Sequence, residues 1–260
     1  MMRRALVTGG AKRLGREISL HLARRNVAVA VHYNSSEKEA GDVLDAIRAF
    51  GGRAEKLRAD FLDEDQVSDL VGCAADALGG PIDILVNNAS IFERDRIGTM
   101  TRQSWDRHVE SNLRAPVVLT QAFAAQCPAP STDARGETRA NGVVVNMLDQ
   151  RVAKPTPDFM SYTIAKMGLW AFTQTAARAL APGIRVNAIG PGSTMRGVRQ
   201  TPEHFAAQRA GNILERGASP DDILAALDYL LDAPAVTGQL LCVDGGQHAG
   251  WKTPDIVGWE

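Results

Sequence analysis

Cysteine is scarce: only Cys73, Cys127 and Cys242 occur in 260 residues. They lie far apart, with neither CxxC nor Cys/His ligand spacing, so neither a disulfide framework nor a zinc site organises the fold. A reducing cytoplasm is the expected setting. The five histidines, His21, His32, His108, His204 and His248, form no metal-ligand grouping, and no metal is expected. No apolar stretch approaches the ~18 residues a membrane helix requires. The start, MMRRALVTGG, has basic residues before an apolar run, as a signal peptide has, but the run breaks after three residues. With a net charge of -1, nothing calls for nucleic acid or a membrane surface. No internal repeat or linker divides the chain, so one domain is expected over 1–260.

What is present is an ordinary globular balance, 45% hydrophobic and 23% charged, long enough to bury a sizeable core. Short β-branched runs at 3–8, 27–33, 54–60, 83–89, 142–148, 184–190 and 239–245 read as strands. Between them, amphipathic segments near 14–25, 36–50, 64–78, 102–126, 158–181 and 220–232 read as helices. Seven strands alternating with helices predict an α/β fold, a parallel doubly wound sheet with helices on both faces. Two stretches break the rhythm. Residues 127–142 are polar and turn-rich, an expected exposed loop. Residues 191–220 are too long for a simple connection and are expected to form a substrate lid.

The first strand runs into TGGAKRLG, Thr8 to Gly15, and then a helix. Glycines in such a turn let the backbone approach a pyrophosphate, whose charge the following helix N-terminus stabilises. Gly9, Arg13, Leu14 and Gly15 are therefore candidate cofactor contacts, although a Gly-rich turn can also be purely structural. After the second strand, HYNSSE offers Asn34, Ser35 and Ser36 and no acid before Glu37. An NAD site usually places a carboxylate there for the ribose 2′-hydroxyl, so donors without an anion favour the 2′-phosphate of NADPH. Arg13 can bind that phosphate or reach toward the substrate. Taken singly, Arg13 also reads as a solvated loop residue, and Ser35 and Ser36 as helix N-caps.

Further along, Tyr162 and Lys166 share a helix face at i, i+4. A tyrosine has an unperturbed pKa of about 10, and a neighbouring lysine favours its phenolate while binding a ribose hydroxyl. Asp149 lies thirteen residues before Tyr162. A carboxylate cannot donate to a ketone oxygen that gains charge unless it is protonated, so Asp149 is poorly suited to ordinary carbonyl reduction. A reducible C=N in an amide-rich heterocycle is different: its nitrogen needs a proton, and neighbouring ring N–H or amino groups can donate to a carboxylate. Asp149 also reads as a loop or capping residue, and Phe92 as core packing. Trp105 and Trp170 read as packing residues. The tail, 247–260 with Trp251 and Trp259, either covers a neighbouring subunit's site or is loose.

In their order, TGGAKRLG, NNAS (87–90), Asn112 in ESNLRAP, Tyr162 to Lys166, RVNAIGPG (185–192) and TGQLLCVDGG (237–246) resemble the short-chain dehydrogenase/reductase superfamily over nearly the whole chain. That resemblance implies a Rossmann fold, a nicotinamide cofactor and a homotetramer or dimer. It places Asp60 near the adenine, Asn88 and Ala89 along the ribose, Pro191, Gly192 and Thr194 around the nicotinamide, and Asn112 in a water-linked proton relay. Arg13 for a glycine, Phe92 in NASIF and Asp149 for a serine are similar to the pteridine reductases and the bacterial dihydromonapterin reductases. This implies that Phe92 stacks on a pterin opposite the nicotinamide, and that Ser90 and Arg13 contact pterin or cofactor phosphates. NSS at 34–36 departs from that pattern by lacking a basic residue for the 2′-phosphate. The expected activity is NADPH-dependent reduction of a pterin, with Asp149, Tyr162, Lys166 and Asn112 as the catalytic group and Arg13, Ser90, Phe92, Asp149 and Tyr162 on the substrate. A 3-oxoacyl-type carbonyl reductase and a non-catalytic NADPH sensor are the alternatives.

Overall fold

The computed structural model describes residues 2–197 and 199–253. The strands are β1 (Arg4–Val7), β2 (Ala28–Tyr33), β3 (Ala54–Arg58), β4 (Ile84–Asn87), β5 (Ser131–Thr132), β6 (Thr138–Arg139), β7 (Gly142–Met147), β8 (Ile184–Pro191) and β9 (Leu240–Val243). The helices are α1 (Arg13–Arg24), α2 (Glu37–Ala49), α3 (Glu64–Leu78), α4 (Arg102–Val109), α5 (Ala115–Gln126), α6 (Met160–Ala179), α7 (Pro202–Ala210) and α8 (Pro220–Asp232). Seven strands form one sheet in the order β3-β2-β1-β4-β7-β8-β9, and every pairing is parallel. The doubly wound Rossmann architecture expected from the alternation is the one observed.

Both faces of the sheet are covered, which explains why β2 and β7 are mostly apolar: all six residues of each are buried, His32 and Asn146 included. Against one face α1 and α8 bury Ile18, Leu22, Leu227 and Leu230; against the other α3 and α5 bury Leu70, Leu78, Leu119 and Phe123. Each such leucine or isoleucine contributes ~1.5–3 kcal/mol. Local signals fix the helix ends. Asp63 caps α3 by accepting from the N–H groups of Asp65 and Gln66, and Gly79 closes it at φ +69°. Ser219 and Asp222 form a capping box ahead of α8.

One expectation requires correction, and two others gain detail. The helix read as continuous over 102–126 is interrupted by a π-turn, Glu110–Arg114, between α4 and α5. Pro116 has no N–H to give the carbonyl of Asn112, and its ring crowds that carbonyl, so the regular ladder yields one turn upstream. The stretch 127–142 holds the small antiparallel hairpin β5–β6, whose four residues are exposed as expected of a loop. Residues 191–220 contain α7, capped by Thr201. Arg209 binds both ends of this segment, donating to the carbonyls of Ser193 and Ala218 at 2.6 Å each and of Gly217 at 3.0 Å. In the tail, Trp251 is exposed, while residues 254–260 with Trp259 lie outside the described residues.

Candidate active site

The chain leaves β1 toward β2 and β3 on one side and later returns to β4 and β7 on the other. At this switch point the carboxyl ends of β1 and β4 diverge and leave a crevice. A cavity of about 500 Å³ opens there, lined by Gly9, Arg13, Leu14, Gly15, Asn34, Asp60, Asn88, Ala89 and Ser90. Thr8 holds its two walls together, because its Oγ1 accepts from the N–H groups of Asn88 and Ala89, both at 2.9 Å. Close approach demands glycine at the turn: a Cβ on Gly15 would stand 2.1 Å from the carbonyl oxygen of Gly9. Ser35 and Ser36 do not line this cavity; both lie beyond its rim, and Ser36 precedes α2 without a side-chain capping bond.

Arg13 occupies a glycine-like conformation, φ +51°. A non-glycine residue there costs about 1–3 kcal/mol unless its surroundings enforce it. They do so through the side chain, which donates to the carbonyls of Met195 and Arg196, both at 3.0 Å. Arg199 likewise donates to the carbonyl of Phe92 at 2.7 Å. Two guanidinium groups thus tie the 191–220 segment across the crevice. Beneath it lies a second cavity of about 240 Å³, lined by Arg13, Phe92, Asp149, Pro191, Gly192 and Thr194 among others.

At the end of β7 the Asp149 carboxylate meets the helix carrying Tyr162. Tyr162 Oη donates to Asp149 Oδ2 at 2.9 Å, while Oδ1 accepts from the Arg151 N–H at 2.8 Å. Asp149 therefore caps the short turn Gln150–Val152 and also engages the phenol, combining two readings that the sequence left as alternatives. Lys166, 2% exposed, donates to the carbonyl of Met147 at 2.7 Å. Burial pushes the Asp149 carboxyl above its ordinary range. Burial and the Asp149 carboxylate together hold the Tyr162 phenol well above 10, and burial lowers Lys166 to about 8 against the attraction of Asp149. The ammonium lies 5.8 Å from the ring centre, whereas the Asp149 carboxylate touches the hydroxyl, so the neighbour in direct contact is the one that favours the protonated phenol.

Phe92 is 42% exposed and is not core packing. Its ring stacks on Phe159 at 4.2 Å and meets Tyr162 edge-on at 4.7 Å. Asn112, in the π-turn, is fully buried and spends its amide on one backbone unit: Oδ1 accepts from the Ile91 N–H and Nδ2 donates to the Ile91 carbonyl, both at 2.8 Å. It thereby fixes the loop after β4 that presents Ser90 and Phe92.

Sequence reasoning passed over several residues here. Lys12 lines the larger cavity, where it pairs with Glu39 at 2.6 Å, and its adjacency to Arg13 was the signal available. His32 is buried and held neutral, its pKa lowered to about 4 by burial. It accepts from the Gly9 N–H and donates to the Ala59 carbonyl, each at 3.0 Å, which clamps the glycine turn. His108, also buried, accepts from the Glu93 N–H at 3.1 Å and donates to Ser161 Oγ at 2.7 Å, and Ser161 Oγ donates to Asp95. That chain ties the Phe92 loop to the start of α6. Nothing in the spacing of Asp95, His108 and Ser161 signals it.

A parallel doubly wound sheet, a cavity at its switch point behind a glycine turn, and a buried Tyr162 and Lys166 on α6 are the features of a Rossmann-fold oxidoreductase. The family model described as short chain dehydrogenase matches residues 3–206, and the chain belongs to that family. Among solved structures, it is similar to FolM alternative dihydrofolate reductase 1 from Brucella canis, complexed with NADP: 42% identity, TM-score 0.90, covering 98% of this chain and 97% of that one. A short chain dehydrogenase from Burkholderia cenocepacia, also in complex with NADP, is 32% identical with TM-score 0.84, over 94% of this chain and 97% of the other. The 3-oxoacyl-acyl-carrier-protein reductase FabG of Staphylococcus epidermidis is 30% identical over 95% of this chain and all of its own length.

Proposed function

We propose that this oxidoreductase reduces a pterin with NADPH, dihydromonapterin or dihydrobiopterin being the leading candidates and dihydrofolate a further one. The observation that carries the reading is the buried Asp149 carboxylate in hydrogen-bond contact with Tyr162 at 2.9 Å. That pair repels an oxygen gaining negative charge and accepts from ring N–H or amino groups, so it suits a nitrogen heterocycle. The 42% identity with the Brucella FolM protein supports the same substrate class.

The cofactor is placed in the larger cavity, at the switch point behind the glycine turn. Gly9, Arg13, Leu14 and Gly15 face its pyrophosphate, Asp60 its adenine, and Asn88, Ala89 and Ser90 its ribose side. Lys12 and Asn34, which line the cavity, serve the 2′-phosphate, with Ser35 and Ser36 just beyond its rim, while Pro191, Gly192 and Thr194 surround the nicotinamide. When bound, NADPH supplies hydride to a ring carbon. Phe92 stacks on the pterin, and Ser90 and Arg13 border it. Tyr162 gives its proton to the ring nitrogen; Asp149, which accepts from the hydroxyl and so orients it, relays a proton taken up from solvent back to the phenolate. Lys166, anchored on Met147, holds the cofactor ribose, and Asn112 keeps the Phe92 loop in place. The 191–220 segment acts as the lid. The assembly we propose is a cytoplasmic homotetramer, which light scattering checks directly.

Lys12→Ala is expected to raise the KM for NADPH about tenfold, the loss of one charge-assisted hydrogen bond, with the KM for NADH nearly unchanged. Steady-state kinetics with the two cofactors measure it. The rate should also fall as pH rises through about 8, where Lys166 loses its charge. Asp149 raises the lysine's pKa, so Asp149→Asn should move this alkaline limb to lower pH, as read from a pH profile of kcat/KM.

The reading is tested by comparing NADPH-dependent turnover of dihydropterins with that of acetoacetyl thioesters. Turnover of the pterins is expected; inactivity toward every pterin tested rejects the proposal. The FabG relative favours a second reading, 3-oxoacyl reduction, which the same panel reveals as the reverse preference.

A further inference from the structure

Gln150 follows Asp149 in the turn at the end of β7, is 6% exposed and lines the smaller cavity with Asp149, Phe92 and Arg13. Its Oε1 is enclosed and has no hydrogen-bond partner. Gln247, on the opposite side of Gly192, lines the same cavity with its Oε1 in the same condition; a Cβ on Gly192 would meet that oxygen at 2.8 Å. Stranding an amide oxygen away from water carries a desolvation penalty, which a folded protein keeps where a ligand or an ordered water offsets it. Together with the Asp149 carboxylate, this cavity is rich in acceptors. A ketone or thioester brings more acceptors and no N–H, so it leaves these oxygens unpaired. An amino-substituted lactam ring brings ring N–H and exocyclic amino donors on one flat edge.

We infer that Gln150 is a specificity-determining residue whose amide oxygen accepts a hydrogen bond from a ring N–H or amino group of the substrate heterocycle, beside Asp149. The inference rests on the pterin reading and adds a residue to it. A pocket built to pair a polar substrate group discriminates strongly against analogues that lack the group, because its own buried partner is then left unpaired. A side chain that only fills space weakens all ligands alike.

The test uses the full-length protein saturated with NADP⁺ and isothermal titration with three ligands: 2-amino-4-oxopteridine, its 2-oxo counterpart without the amino group, and its N3-methyl derivative without that ring N–H. The wild type is expected to bind the parent about tenfold or more tightly than at least one donor-deleted analogue. Gln150→Met, nearly isosteric but without the acceptor, should bring that ratio to within about twofold of unity, while Gln150→Glu, which keeps an acceptor, should preserve it. Equal weakening of all three ligands by Gln150→Met, or loss of discrimination in Gln150→Glu, overturns the assignment. So does a wild type that binds and reduces pterins without distinguishing the three, and in that case the pterin reading stands. A wild type that neither binds nor reduces any pterin removes both.

Discussion

Tyr162→Phe is expected to lower kcat/KM for pterin reduction by ~10³-fold while leaving NADPH affinity within about threefold. The substitution deletes one oxygen from a ring whose position does not depend on it. Tyr162 is buried, with Phe92 edge-on at 4.7 Å and His108 edge-on at 6.0 Å, and those contacts survive in phenylalanine. What disappears is the proton that burial and Asp149 keep on the phenol. Rapid-mixing kinetics with NADPH fluorescence separate the two effects. A loss below about tenfold would show that another group protonates the ring.

Asp149→Ser should cut pterin turnover by ~10²-fold or more. It should also raise turnover of small ketones, since a serine hydroxyl donates where a carboxylate does not. Stability should move the other way. The folded protein raises the carboxyl's pKa by burial, so the native state retains a proton that the unfolded chain releases, and stability declines as pH rises from the carboxylate's usual value of about 3.9 toward the raised one. The serine variant lacks that decline. Its Tm at neutral pH is therefore expected to equal or exceed that of the wild type, as for other groups kept for activity at a cost in stability. Unchanged pterin kinetics would reject the proton-path role of Asp149.

The strands were legible because each central one is buried on both faces and is therefore mostly apolar, as β2 and β7 are apart from His32 and Asn146. Helix α3 was legible end to end, from the Asp63 cap to Gly79. The break at Glu110–Arg114 was marked by Pro116, but helical periodicity on both sides concealed it, since a π-turn adds one residue without changing composition. Arg13 was conspicuous as a departure from glycine. That its side chain reaches Met195 and Arg196, more than 180 residues along, depends on where the 191–220 segment returns.

By itself the sequence determined the doubly wound sheet, the glycine turn at its switch point, and the presence of Tyr162, Lys166 and Asp149, because periodicity, turn chemistry and residue spacing are local quantities. Only the tertiary structure decided what those groups do to one another. Burial and the contact of Asp149, just past β7, with Tyr162 on α6 favour the protonated phenol, and Gln150 Oε1 in the next residue is enclosed without a partner. Desolvation and hydrogen-bond distance belong to the assembled chain, and no stretch of sequence contains them.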